Sequence, residues 1–88
     1  MTNTNSVWQN NLVISPNPAS HQIFIKGIEP GQLNSIILKN MQDQVISIWE
    51  ENDLKGLTLN VSHFSKGIYI IIVENKDGTF QTGRLIIQ

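Results

Sequence analysis

The chain has 88 residues, a formal net charge of −1, 40% apolar and 15% charged residues, and no cysteine. That length holds one domain around one core. The near-neutral charge gives no pull toward nucleic acid or anionic lipid, and the absence of thiols excludes a disulfide framework, a cysteine zinc site and thiol chemistry. Charged residues fall below the roughly 25% of an average domain, and Asn, Gln, Ser and Thr do much of the solubilising, a surface suited to an extracellular module.

Residues 1–11 read as a linker, polar and without period. The start, Met1-Thr2-Asn3-Thr4-Asn5-Ser6, has neither a basic nor an apolar region and is not a signal peptide. Met1 is expected to be a start codon on an excised domain, with any export signal of a parent protein lying outside this chain. Trp8 either packs on the first strand or marks the end of a preceding domain. No run approaches the ~18 apolar residues that span a bilayer, so no membrane insertion is expected.

From residue 12 the chain reads as short strands separated by turn chemistry. Leu12-Val13-Ile14 is stopped by Ser15-Pro16-Asn17-Pro18, whose two prolines each remove a donor and fix φ. Residues 22–26 follow, with Ile23 and Ile25 on one face, and then a loop in which Pro30-Gly31 suits the centre of a type II turn. Residues 35–40 carry Ile36 and Leu38 on one face. Met41-Gln42-Asp43-Gln44 turns the chain into residues 45–49. Leu57, Leu59 and Val61 alternate inward.

Ile68-Tyr69-Ile70-Ile71-Ile72-Val73 is β-branched and apolar on both faces, which marks a central strand. Asn75-Lys76-Asp77-Gly78 is a hairpin turn with Gly78 free to take positive φ. Residues 79–87 form the last strand, where Gly83 signals a bulge or a close backbone approach. No segment has a helical period. The expected fold is all-β, an immunoglobulin-like antiparallel β-sandwich of about seven strands spanning residues 12–88.

Catalytic chemistry finds little to work with. The only histidines, His21 and His63, have no nucleophile-elbow or comparable context and read as solvated. The one carboxylate cluster, Glu50, Glu51 and Asp53, lacks the spacing of a dedicated calcium loop and reads as a solvated loop. Gly27 and Gly31 are isolated and precede no helix, so no phosphate loop is present. Lys26, Lys39, Lys55, Lys66, Lys76 and Arg84 are scattered, unlike a nucleic-acid surface. Asn60-Val61-Ser62 matches a glycosylation acceptor but sits inside a strand-like run. Trp8, Trp49 and Phe80 would make a sugar platform only if they met in one plane; packing roles are favoured. The reading is of a protein that is not an enzyme and uses no cofactor or metal.

Four features in order resemble the C-terminal sorting domain, type A, of the type IX (Por) secretion system of Bacteroidetes-type bacteria. They are Ile14-Ser15-Pro16-Asn17-Pro18-Ala19; the strand, turn and strand of residues 36–46; Leu59-Asn60-Val61-Ser62-His63-Phe64-Ser65-Lys66-Gly67-Ile68-Tyr69; and Asp77-Gly78 followed by Arg84-Leu85-Ile86-Ile87. The family motif thus falls on Pro16, Asn17, Pro18, Gly67, Tyr69, Asp77, Gly78 and Arg84. Asp43 stands where the family often has Gly, Ser15 where Tyr is frequent, and Gln88 where Lys is frequent.

Beside that resemblance stands a structural reading of the same residues. Pro16-Asn17-Pro18 suits a sheet-switching corner. Gly67-Ile68-Tyr69 suits a tyrosine corner, with Gly67 permitting a tight approach and Tyr69 bonding back to upstream backbone.

The resemblance implies a non-catalytic address label at the end of an exported cargo. The label would pass through the periplasm and be recognised by an outer-membrane translocon. It would then reach the cell surface or the exterior, where a sortase-like protease commonly removes it; cleavage would fall in the linker before Leu12, where a protease can reach. Strand addition at a sheet edge or an outward stripe of Ile68, Ile70 and Ile72 would supply the contact, together with Arg84, Leu85, Ile86, Ile87 and Gln88. The alternative is an immunoglobulin-like adhesion or carbohydrate-binding module of an extracellular protein.

Overall fold

The computed structural model describes residues 8–9, 11–29, 31–51 and 57–88, with only the backbone of Trp8 and Gln9. Among these the chain forms eight strands: β1 (Trp8–Gln9), β2 (Val13–Ser15), β3 (Gln22–Lys26), β4 (Leu33–Asn40), β5 (Val45–Glu50), β6 (Thr58–Asn60), β7 (Gly67–Asn75) and β8 (Phe80–Ile87). They make two sheets, one in the order β1-β8-β7-β4-β5 and one in the order β2-β3-β6. The fold is an all-β sandwich. No helix of the described residues is long and apolar enough to cross a membrane.

Period-two alternation builds the core between the sheets. Ile14, Ile23, Ile25 and Leu59 enter it from the small sheet, and Ile36, Leu38, Tyr69, Ile71, Val73, Leu85 and Ile87 from the large one. β7 lies between β4 and β8, the central place expected of a strand apolar on both faces. Its buried residues alternate with Ile68, Ile70, Ile72 and Glu74, which point away from the core. Tyr69 is the corner residue: its ring is buried and its hydroxyl donates to the Ser65 carbonyl at 2.6 Å.

The turns follow the residues placed in them. Asn40 Oδ1 accepts from the backbone N–H of Gln42 and of Gln44, at 2.9 and 3.0 Å. Asp43 takes φ 68°, a left-handed position that a short polar side chain tolerates. At the second hairpin Gly78 takes φ 89°, with its N–H on the Asn75 carbonyl at 3.0 Å. Gly31 sits at φ 78° and Gln32 N–H reaches the Glu29 carbonyl at 3.1 Å, as the expected turn requires; Pro30 lies outside the described residues.

One expectation changes. Gly67 is nearly extended at φ 159°, and a Cβ there would meet only the Tyr69 ring edge, at 3.8 Å. The tight approach lies instead at Gly83, where a Cβ would stand 2.7 Å from Ile14 Cδ1 and 3.2 Å from Leu12 Cβ. Gly83 marks that approach and not a bulge, because β7 and β8 pair in unbroken register from Gly67↔Ile87 to Glu74↔Phe80. Ahead of β2, Trp8–Gln9 pairs in parallel with Phe80 and Gln81 at the β8 edge.

Candidate functional site

The distinctive construction of the molecule is how it finishes β8. That strand has β7 on one side, so its other row of backbone groups needs partners or invites pairing with another chain. At its start β1 pairs with Phe80 and Gln81; toward its end the Pro-Asn-Pro segment and the residues after it supply the partners. Asn17 Nδ2 donates to the Arg84 carbonyl at 2.8 Å, and Ile86 N–H donates to Asn17 Oδ1 at 3.0 Å. Two residues on, Ala19 N–H donates to the Ile86 carbonyl and Gln88 N–H to the Ala19 carbonyl, both at 2.8 Å. A side-chain amide and one backbone residue thus stand in for a strand, so strand addition at this stretch is closed.

The resemblance puts Asn17 in its first feature and Arg84 in its fourth, and the fold brings these two together across most of the chain. Gly67, Tyr69, Asp77 and Gly78 lie at the two ends of β7: the tyrosine corner at one, the hairpin turn at the other. In that turn Asp77 Oδ1 accepts from Thr79 Oγ1 at 2.7 Å and from Thr79 N–H at 3.0 Å. The Thr79 hydroxyl first, and its backbone N–H second, hold the Asp77 carboxyl below the ordinary carboxylate range.

The outer face of the large sheet carries the expected isoleucine stripe and extends it. Register places Ile48, Ile37 and Ile72 in one row across β5, β4 and β7. A neighbouring row runs Lys39, Ile70, Arg84, and a third joins Ile68 to Ile86. Ile48 is 53% exposed and Ile68 45%. Ile37, Ile70, Ile72 and Ile86 are half-buried by their neighbours.

Two of the expected surface residues leave it. Leu85 and Ile87 fall on the inward parity of β8 and are buried in the core. Arg84 and Gln88 are exposed and Ile86 points outward with them.

The remaining candidates do not assemble. His21 and His63 are both exposed; each ring contacts the serine beside it, Ser20 at 2.9 Å and Ser62 at 3.4 Å. Among the described residues no three of His, Cys, Asp and Glu gather as metal ligands. Glu51 pairs with Lys76 at 3.1 Å, and Asp53 lies outside the described residues. Asn60 Oδ1 accepts from Ser62 N–H and Oγ in a local turn. Trp49 faces inward against Phe64, ring centroids 6.1 Å apart at 89°, whereas Phe80 pairs with outward Glu74. These two aromatics therefore lie on opposite faces; the Trp8 side chain is outside the described residues.

A family model described as the secretion system C-terminal sorting domain matches residues 13–88. The chain belongs to this family. The sorting domain therefore carries a type IX secretion signal, which implies a cargo sent to the cell surface or beyond and contact with the secretion machinery. No curated protein matches the chain.

Sequence reading missed the clamp. Its only local signal is an Asn held between two prolines, a polar amide with the shape of a peptide group in a segment barred from ordinary pairing.

Proposed function

We propose that this sorting domain is a non-catalytic recognition module that takes its cargo from the periplasm through the outer-membrane translocon. The observation that carries the reading is the match over residues 13–88, joined to a last strand whose far edge is closed by the chain itself. With that edge occupied, the outer face of the large sheet is what a receptor meets. Its contact set is Ile68, Ile70, Ile72, Arg84, Ile86 and Gln88. A sortase-like component then cuts ahead of Leu12.

The deciding experiment fuses the chain to the C-terminus of a periplasmic reporter in a host with the secretion system. Reporter outside the cell supports the reading. Reporter retained in the periplasm, with the domain folded by protease resistance, rejects it.

A further inference from the structure

At the end of the sandwich away from the tyrosine corner, the β7–β8 turn and the loop before β4 enclose a polar recess of about 280 Å³. Its chemistry follows from one backbone group. The Gly27 carbonyl can only accept, so the end of Gln81 that meets it at 2.6 Å is the NH2 group, which also donates to Asn11 Oδ1 at 2.8 Å. Gln81 Oε1 is then an acceptor, and Asn75 Nδ2 donates to it at 3.1 Å and to Thr79 Oγ1 at 3.0 Å. This leaves Asn75 Oδ1 with no donor from the protein, although Asn75 is only 7% exposed. Gln32 Oε1, from the loop before β4, is a second buried acceptor without a donor lining the recess.

Two carboxylates, Glu29 and Asp77, complete the lining, and among the described lining residues there is no Lys, Arg or His. The walls are tied together, with Lys76 N–H donating to the Gln32 carbonyl at 2.7 Å. A buried amide oxygen left without a donor costs free energy. Oxygens alone, two of them anionic, are the donor set of a hard divalent cation.

We propose that this recess binds a calcium ion through Asn75 Oδ1, Gln32 Oε1 and the carboxylates of Glu29 and Asp77, with water filling the remaining positions. Calcium takes 6–8 oxygens with loose geometry, which suits a partly open recess; magnesium demands a tighter octahedron. The ion bridges the loop holding Glu29 and Gln32 to the last hairpin, so its binding adds to the stability of the folded state. The site stands independently of how the domain is recognised.

The test is thermal unfolding of the full 88-residue chain after chelator treatment, with calcium chloride added and ionic strength held constant. Sites in extracellular modules bind with Kd of about 10⁻⁴–10⁻³ M, so about 10 mM calcium is expected to raise Tm by roughly 5–15 °C. Magnesium is expected to do much less. The double variant Glu29→Gln/Asp77→Asn keeps the Asp77 Oδ1 acceptor and hence the turn; it is expected to fold by circular dichroism and to lose the calcium shift. A wild-type Tm that calcium does not move means the recess holds water only and overturns the proposal, as does a shift of equal size in the folded double variant. Should the double variant fail to fold, Glu29→Gln alone decides, since the exposed Glu29 side chain has no part in the Asp77–Thr79 turn; this variant is expected to weaken calcium binding about tenfold, and unchanged binding overturns the site.

Discussion

The side-chain amide of Asn17 sits against Ile86 as a strand peptide would, accepting the Ile86 N–H at 3.0 Å while donating to the Arg84 carbonyl at 2.8 Å. The two partners are separated from Asn17 by most of the chain. The clamp therefore joins the first and last parts of the domain and shields the end of β8.

Replacing Asn17 by Ala removes both bonds. At an exposed position they contribute about 1–2 kcal/mol together, and a domain of this size is expected to lose roughly 5–10 °C in Tm. Asn17→Asp should do no better, since it keeps the acceptor for Ile86 but sets a carboxylate oxygen against the Arg84 carbonyl. Melting curves of both variants that overlay the wild type would show that the clamp contributes nothing.

Gly83 presents a packing test. A Cβ there meets Ile14 Cδ1 at 2.7 Å, a movable atom, and Leu12 Cβ at 3.2 Å, which retreats only with its backbone. Gly83→Ala is expected to cost about 1–3 kcal/mol through overpacking. Shortening the neighbour with Ile14→Val clears the nearer clash, so the double variant should be more stable than the sum of the singles predicts, by at least about 0.5 kcal/mol. Strict additivity in urea unfolding would remove the close approach from the account.

Asp77 makes stability depend on pH. Its folded carboxyl titrates below its ordinary value because Thr79 bonds the ionised form. The sign follows by linkage: the contribution is complete above the unfolded value near 3.9 and is lost as pH falls through the lower folded value. Asp77→Asn keeps an acceptor for Thr79 but does not titrate. In chelator, the wild type is expected to be the more stable at about pH 5, and the gap should close toward about pH 2. A gap that stays constant across urea titrations in that range would rule out the coupling.

What could be read from the sequence was what rests on local periodicity and turn chemistry. Ile71 and Val73 alternate with Ile70 and Ile72 within one strand, so their opposite faces were legible, as was the upstream bond of Tyr69, only four residues away. Gly83 announced a close approach without naming Ile14. Leu85 and Ile87 read as surface in the sequence because a terminal apolar run does not state its parity; that is fixed by the Ala19 bridge to Ile87 and the pairing with β7. The Asn17 clamp and the Asn75–Gln81 recess were invisible, since each depends on a hydrogen-bond partner set by the sheet and not by spacing along the chain.

The receptor reading turns on which sheet is met, and two residues of matched exposure separate the choices. Ile68 is 45% exposed on the outer face of the large sheet, and Phe24 is 47% exposed on β3 in the small one. A lysine at either site keeps its charge in water in the free domain, so each variant should stay within about 0.5–1 kcal/mol of wild type. In the reporter fusion, however, a lysine brought into an apolar contact must be desolvated without a partner. Ile68→Lys is expected to cut the amount of exported reporter about tenfold or more, while Phe24→Lys exports normally. Equal export of the two folded variants would take recognition away from the isoleucine rows, and a defect confined to Phe24→Lys would move it to the small sheet.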